Sequence, residues 1–132
     1  MPAYMLETNM VIYILKNRPR SALKSFNQHA KQICISSITL AELIHGVEKS
    51  IRHEHNMRQI DDFVSRVSTL SYGPNAASHY GNIRAELEPQ GTPIGVNDLH
   101  IAGHARSEEL VLVTNNLAEF ERIEGLNLEN WV

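Results

Sequence analysis

Apolar residues in this chain follow two patterns that alternate from one end of the sequence to the other. Short, uninterrupted apolar runs predict buried strands, and stretches in which apolar residues recur every three or four positions predict amphipathic helices. Strands are predicted at residues 4–6, 33–35, 67–72, 110–114 and 126–128. Helices are predicted over residues 10–15, 19–26, 38–47, 53–67, 74–90, 99–109 and 117–123.

This alternation of elements predicts an α/β fold. Strands that are apolar throughout are typical of a sheet covered on both faces, and the helices between them allow parallel pairing. We therefore expect one domain over residues 1–132, with a central, mostly parallel sheet of four to five strands and helices on both faces. A chain of 132 residues is long enough to bury such a core without disulfides.

The stretch from Gly91 to Ala105 contains the most informative turn. Two glycines and a proline predict a tight loop, after which Asn97 or Asp98 is expected to cap a helix. Asp98 then lies in the first helical turn, where free N–H groups and the helix dipole favour a carboxylate. That position suits a metal ligand, and it equally suits a plain helix cap. Asn9 is expected to cap the first helix in the same way.

The charged residues are unevenly distributed. The net charge is −3, yet residues 1–52 carry seven Lys or Arg against three acids, and residues 53–132 carry five Arg against twelve acids. The net charge argues against a general nucleic-acid coat protein. The asymmetry is compatible with a basic surface beside a cluster of acids that needs a cation, and equally with an ordinary solvated surface.

Cysteine and hydropathy indicate the compartment. The single cysteine, Cys34, excludes an internal disulfide, and its apolar neighbours predict a buried thiol. The longest apolar run, residues 10–15, is too short for a membrane span or a signal core, so we expect a soluble, cytoplasmic protein. His100 and His104 have a spacing seen in zinc sites, but no third ligand accompanies them, and a structural or surface pair is expected.

Polar side chains follow the predicted strands at the edge where parallel sheets usually carry their chemistry. They are, in chain order, Glu7 after the first strand, Glu42 inside the helix after the second, Asp98 before the strand at 110–114, and Asn116 and Glu119 after it. Crowded carboxylates repel one another unless a cation is present, and oxygen donors select hard ions such as Mg²⁺ or Mn²⁺. Such an ion suits phosphodiester hydrolysis, because it binds a phosphate oxygen and lowers the pKa of a water.

Four sequence blocks carry a resemblance to a known family. They are residues 5–9 (MLETN), 38–43 (ITLAEL), 94–102 (IGVNDLHIA) and 112–120 (LVTNNLAEF). Together, in this order and at this spacing, they resemble the PIN-domain ribonucleases, and within them the VapC toxins of bacterial VapBC toxin–antitoxin pairs. The resemblance covers essentially the whole chain.

The resemblance implies a metal-dependent endoribonuclease toxin that cleaves RNA, commonly tRNA, with the anticodon loop of initiator tRNA as one known target class. It implies Mg²⁺ or Mn²⁺ as cofactor and a homodimer as the toxin's own assembly. It also implies a hetero-oligomer with a VapB-type antitoxin, which inhibits the toxin and contacts operator DNA. The basic residues Lys16, Arg18, Arg20 and Lys24 are then either a solvated surface or a path for RNA phosphates toward Glu7.

Site residues are carried over from the resemblance by position. Glu7, Glu42 and Asp98 fall on the acidic metal-site positions of the family. The family often has Asp where Asn116 stands, and Glu119 is the nearest carboxylate that would replace it. Thr114 resembles the small polar residue that supports the site.

One position departs from the family pattern, since the family has Asp where this chain has Glu7. An extra methylene moves the carboxylate by roughly 1 Å, and Mg²⁺ demands tight octahedral geometry, so we expect Glu7 to weaken or abolish activity. Glu at this position is also what a deliberate substitution would leave if it were made so that a toxic enzyme could be expressed. Two alternatives remain: an impaired domain that only binds antitoxin and operator DNA, and a phosphatase whose nucleophile is the strand-one acid. The phosphatase would prefer a second carboxylate at Asn9.

Overall fold

The structure, a computed structural model, describes residues 1–91 and 93–132. The strands are β1 (Tyr4–Leu6), β2 (Ile33–Ser36), β3 (Ser68–Leu70), β4 (Val111–Val113) and β5 (Leu128–Glu129). The helices are α1 (Thr8–Leu15), α2 (Arg20–Gln28), α3 (Ser37–Glu48), α4 (His53–Ser65), α5 (Pro74–Leu87), α6 (Val96–Ser107) and α7 (Leu117–Phe120). Short 3-10 turns cover Ala30–Gln32 and Glu88–Gln90. The predicted types and order of elements are confirmed, and boundaries differ by a few residues.

The five strands form one parallel sheet in the order β3-β2-β1-β4-β5. The first strand is central, with Met5 beside Cys34 of β2 on one side and Leu112 of β4 on the other. Because all strands run the same way, the ends of β1 and β4 lie together at one edge, where Leu6 is paired with Val113. The α/β fold predicted from the pattern is confirmed.

Alternate strand residues face two separate apolar cores, as the period of a strand requires. Leu6, Ile35 and Val113 face a core built with α1, α2, α3 and α4. Met5, Cys34 and Leu112 face a second core built with α5, α6 and the segment from Phe120 to Ile123. Helices therefore cover both faces of the sheet, and the strand ends are the edge left for polar residues.

The helix caps differ from two of the predictions. Glu7, not Asn9, caps α1, because the Glu7 side chain is long enough to turn back and accept the Asn9 N–H at 2.9 Å. Gly95, not Asn97 or Asp98, is the residue before α6, and its carbonyl accepts the Leu99 N–H at 2.9 Å. Asp98 is therefore the third residue of α6 and lies in the first turn, as the loop pattern predicted.

A close approach between α5 and α6 holds the latter helix in place. A Cβ atom on Gly103 would lie 2.8 Å from the backbone nitrogen of Tyr80, so only glycine fits this crossing without displacement. Asp98 lies in the first turn of the same helix. The packing of α6 against α5 therefore also positions the Asp98 carboxylate.

The remaining sequence predictions concern cysteine, histidine and membranes. Cys34 is fully buried, and burial raises the pKa of its thiol to about 12, so the thiol is inert as expected. His104 is buried against Ser36, and His100 hydrogen-bonds Tyr72, so this histidine pair is structural. Within residues 1–91 and 93–132, no helix is both long and apolar enough to cross a bilayer.

Candidate metal centre

Glu7 lies at the end of the central strand and is almost entirely enclosed, with 3% of its surface exposed. Both of its carboxylate oxygens accept hydrogen bonds: Oε2 from the Asn9 N–H at 2.9 Å and Oε1 from the Thr114 hydroxyl at 3.1 Å. Burial raises the pKa of Glu7, and the nearby charges of Glu42 and Glu119 raise it further, against the lowering effect of these two donors. The side chain thus joins β1 to the end of β4.

Glu42 lies in the middle of α3, and its carboxylate accepts a hydrogen bond from Thr8, which is itself bonded to Thr39. The Thr8 hydroxyl lies 2.6 Å from Glu42 Oε1 and 3.1 Å from the Thr39 hydroxyl. Thr39 is fully buried and lies one turn before Glu42 on the same helix, so its side chain shares the inner face with the acid. Because a hydroxyl has a single proton, Thr8 donates to Glu42 and accepts from Thr39.

Asp98 has the most perturbed carboxyl group of the site. Burial is the largest cause, followed by the charges of Glu7, Glu119 and Glu42 and a hydrogen bond with Glu119, and together they raise the pKa of Asp98 to about 7. The N-terminal turn of a helix normally favours an ionised acid, so the raised pKa shows that burial and neighbouring acids outweigh the dipole here.

Asn116 and Glu119 lie on the far side of this cluster. The Asn116 amide donates to Glu119 Oε2 at 2.6 Å, and the Asn116 backbone N–H bonds the Thr114 hydroxyl oxygen at 3.0 Å. Glu119 is half-buried at the beginning of α7, while Asn116 is exposed. The carboxylate in this part of the cluster therefore belongs to Glu119, and the Asn116 amide fixes its orientation.

The sequence-predicted acids are thus brought together, since Glu7, Glu42, Asp98 and Glu119 all influence the ionisation of Asp98 or of one another. Thr39 was missed, and its signal was a polar residue three positions before Glu42 in an otherwise apolar helix. Thr8 belongs to the first of the four sequence blocks, and in the structure it is the hydrogen-bond donor to Glu42.

The donor set fits a hard divalent cation in chemistry and in charge. Its donors are carboxylate and amide oxygens, and neighbouring carboxylates add to the effect of burial in raising the pKa of Glu7 and of Asp98. In the described part of the chain, no three His, Cys, Asp or Glu side chains are arranged to coordinate a metal ion together. Asn9, Thr114 and Thr8 donate to the Glu7 and Glu42 carboxylates, and each of these oxygens keeps a lone pair that a cation can use.

Comparison with known proteins agrees with this geometry. The PIN domain family matches residues 4–126. The chain is 58% identical over 129 residues to Ribonuclease VapC2 of Haemophilus influenzae, with 98% of each chain covered. It is 52% identical over 128 residues to the tRNA(fMet)-specific endonuclease VapC of Salmonella typhimurium, with 97% of each covered.

A solved structure shows the same fold over the full length. The crystal structure of DNA-bound VapBC from Salmonella typhimurium contains a chain that superposes with a TM-score of 0.95 at 51% identity, with 100% of both chains covered. Fold and sequence therefore agree from one end of the chain to the other. This chain belongs to the PIN-domain family and, within it, to the VapC ribonuclease toxins.

Proposed function

We propose that this chain is a metal-dependent endoribonuclease toxin that cleaves tRNA, with the anticodon loop of initiator tRNA as its target. The observation that carries the proposal is the group of four carboxylates at one edge of the sheet, where burial first and then the charges of the other three acids raise the pKa of Asp98 to about 7. Such a group is costly to keep together without a cation, and PIN-domain relatives are named as ribonucleases.

Asp98, Glu42 and Glu7 would hold the ion, and Glu119 with Asn116 would complete its surroundings. A bound Mg²⁺ or Mn²⁺ would activate a water and offset negative charge on the scissile phosphate. Thr8 keeps the Glu42 carboxylate in one orientation, and Thr114 does the same for Glu7. Cleavage then needs no side-chain nucleophile, since the protein's part is to place the oxygen ligands of the ion.

Glu7 makes the activity weaker than in a chain with Asp at this position. Its Oε2 atom turns back to accept the Asn9 N–H at 2.9 Å, and the group is 3% exposed. The longer side chain curls back to cap α1 instead of presenting its oxygens to an ion. Displacement of a ligand by about 1 Å can cost on the order of 100-fold in rate.

Relatives support the substrate and the partners. One relative is named for tRNA(fMet), and the similar solved structure is a VapBC complex on DNA. We infer that this chain forms a homodimer, is inhibited in the cytoplasm by a VapB-type antitoxin, and reaches operator DNA through that antitoxin. A cleft of about 360 Å³ between α1, α3 and α4 suits an antitoxin helix, because its wall is largely apolar and includes Glu42 of the site.

A second candidate function is binding without catalysis. Among the described residues no three His, Cys, Asp or Glu side chains are arranged around an ion, which favours a domain that only binds antitoxin and operator DNA. A domain that only binds would have no need of a buried acid beside three others, which raises the pKa of Asp98, so this function ranks second.

The test is cleavage of initiator tRNA and of total bacterial RNA by the purified chain and by Glu7→Asp, each with Mg²⁺, with Mn²⁺ or with EDTA. We expect a discrete product from the tRNA, faster with Glu7→Asp, and no product in EDTA. Glu42→Gln in the Glu7→Asp chain should abolish cleavage, and Glu48→Gln, on the same helix but exposed, should not. If neither the unaltered chain nor Glu7→Asp cleaves RNA, binding without catalysis becomes the favoured function.

A further inference from the structure

The segment between the first two acids of the site contains no acid of its own. Residues 8–41 hold five Lys or Arg and neither Asp nor Glu, although the whole chain has more acids than bases. The five cations are Lys16, Arg18, Arg20, Lys24 and Lys31. This segment comprises α1, α2 and the connection to β2, so its positive charge is concentrated on one part of the surface.

All five cationic side chains are exposed. Within residues 1–91 and 93–132, neither a hydrogen bond nor an ion pair joins any of them to a protein partner. The ion pairs among the described residues join Glu48 to His53, Asp62 to Arg66 and Glu88 to Arg84, and these three lie outside residues 8–41. The positive charge of residues 8–41 is therefore not neutralised inside the protein.

The outward face of α2 concentrates this charge on a regular element. Arg20 and Lys24 lie one turn apart and line a shallow cleft with Leu23, Asn27 and Gln28. The opposite face of the helix carries Ala22 and Phe26 into the core, which fixes the rotation of α2 and so the direction of the two cations. We call the surface formed by Arg20, Lys24, Asn27 and Gln28 the α2 basic face.

A further cation connects the α2 basic face to the carboxylate site. Lys16 ends α1, the helix that Glu7 caps, and it lines the same cleft as Thr8 and Glu42. Arg18 then follows in the connection from α1 to α2. Along the chain, positive residues therefore extend from Lys16, beside Glu42, to α2 with no acid between them.

We propose that the α2 basic face binds the phosphodiester backbone of the RNA substrate away from the cleaved bond. The inference rests on the proposed function, because it assigns an additional contact to the same substrate. Unpaired cations with amide neighbours suit phosphate oxygens, which accept from Arg, Lys, Asn and Gln without regard to base. Apart from Leu23, the lining residues are polar or charged, so the functional groups that this face offers a ligand are cationic and amide groups.

The experiment measures binding of initiator tRNA in EDTA, so that the result does not depend on metal or cleavage, with the RNA checked for integrity. The double variant Arg20→Gln/Lys24→Gln is compared with the wild-type chain between 50 and 300 mM KCl. We expect binding to weaken by more than about tenfold at low salt. The slope of log K against log salt should fall by about 2, because each cation that no longer neutralises a phosphate lowers it by about 1. In Mg²⁺, the Glu7→Asp chain with both changes should show a raised KM and an unchanged kcat.

The control is Lys49→Gln/Arg52→Gln, which removes the same charge from two exposed residues at the α3–α4 connection. Equal weakening in both double variants would overturn the proposal, because it would reflect net charge alone. An unaltered salt slope in Arg20→Gln/Lys24→Gln would also overturn it, as would loss of VapB-type antitoxin binding with tRNA binding intact. If no variant cleaves RNA, the proposed function fails, and the EDTA binding data still decide whether the α2 basic face contacts RNA.

Discussion

The hydroxyl oxygen of Thr8 lies 2.6 Å from Oε1 of Glu42, and this bond links the first turn of α1 to the middle of α3. Thr8 is 9% exposed and its other neighbour is the buried hydroxyl of Thr39, so water cannot easily replace the donor. The relationship makes Thr8 a positioning residue for a carboxylate that would bind the ion.

Replacement of Thr8 by Val should lower metal affinity while leaving the fold intact. Val has the shape of Thr without the hydroxyl, so Glu42 loses its donor, and loss of such an outer partner typically costs about 10–100-fold in metal affinity. Mn²⁺ affinity by calorimetry and the Mg²⁺ dependence of cleavage measure the effect, and circular dichroism checks the fold. Thr8→Ser keeps the hydroxyl and should retain most of the affinity; identical behaviour of the two variants would argue against a positioning role.

Replacement of Asp98 by Asn should stabilise the metal-free protein above pH 7. The pKa of Asp98 is raised from 3.8 to about 7, so the folded protein disfavours the charged form. The free energy of unfolding therefore decreases as pH rises from about 4 to about 7, and the decrease is complete above pH 7. We expect a gain on the order of 2 kcal/mol at pH 8 after allowance for solvent screening, and no gain at pH 4. Urea unfolding at both pH values measures it, and Asp61→Asn on exposed α4 serves as control.

His104 should make the protein less stable in acid. Burial lowers the pKa of His104 below 6.5, the Nδ1 atom bonds Ser36 at 2.8 Å, and Nε2 has no partner in the described part of the chain. A lowered pKa means that stability is present above pH 6.5 and is lost as pH falls below it. His104→Gln should be less stable than wild type at pH 7.5 and show a flatter decline to pH 5.5, whereas exposed His45→Gln should follow the wild-type profile.

Gly103 should not tolerate a side chain. An alanine Cβ at this position meets the Tyr80 backbone nitrogen at 2.8 Å, so α5 and α6 would have to separate, at a cost of about 1–3 kcal/mol. The matched control is Gly81→Ala in α5, where a Cβ meets nothing within 4 Å and should stabilise the helix by roughly 0.5–1 kcal/mol. Thermal unfolding compares the two; equal effects would mean that the helix crossing is more adaptable than its geometry indicates.

Periodicity was sufficient to predict the sheet, the helices and the edge where Glu7, Asp98 and Glu119 meet, because short apolar runs and strand direction determine these features. The caps were not predictable, since a cap depends on which side chain reaches a free N–H: Glu7 reaches Asn9 from outside the helix, and Gly95 needs no side chain. The role of Thr39 was not predictable either, because it depends on a hydrogen bond with Thr8, which is 31 positions away along the chain.

The most direct measurement of the central claim is a calorimetric titration of Mn²⁺ into the wild-type chain, Glu7→Asp and Asp98→Asn at pH 7, in two buffers of different ionisation enthalpy. Because the pKa of Asp98 is about 7, binding at the carboxylates should release roughly half a proton. We predict that Glu7→Asp binds more tightly than the wild-type chain and that Asp98→Asn neither binds nor releases protons. Equal affinity of Asp98→Asn and the wild-type chain would contradict the account, since the ion would then bind elsewhere.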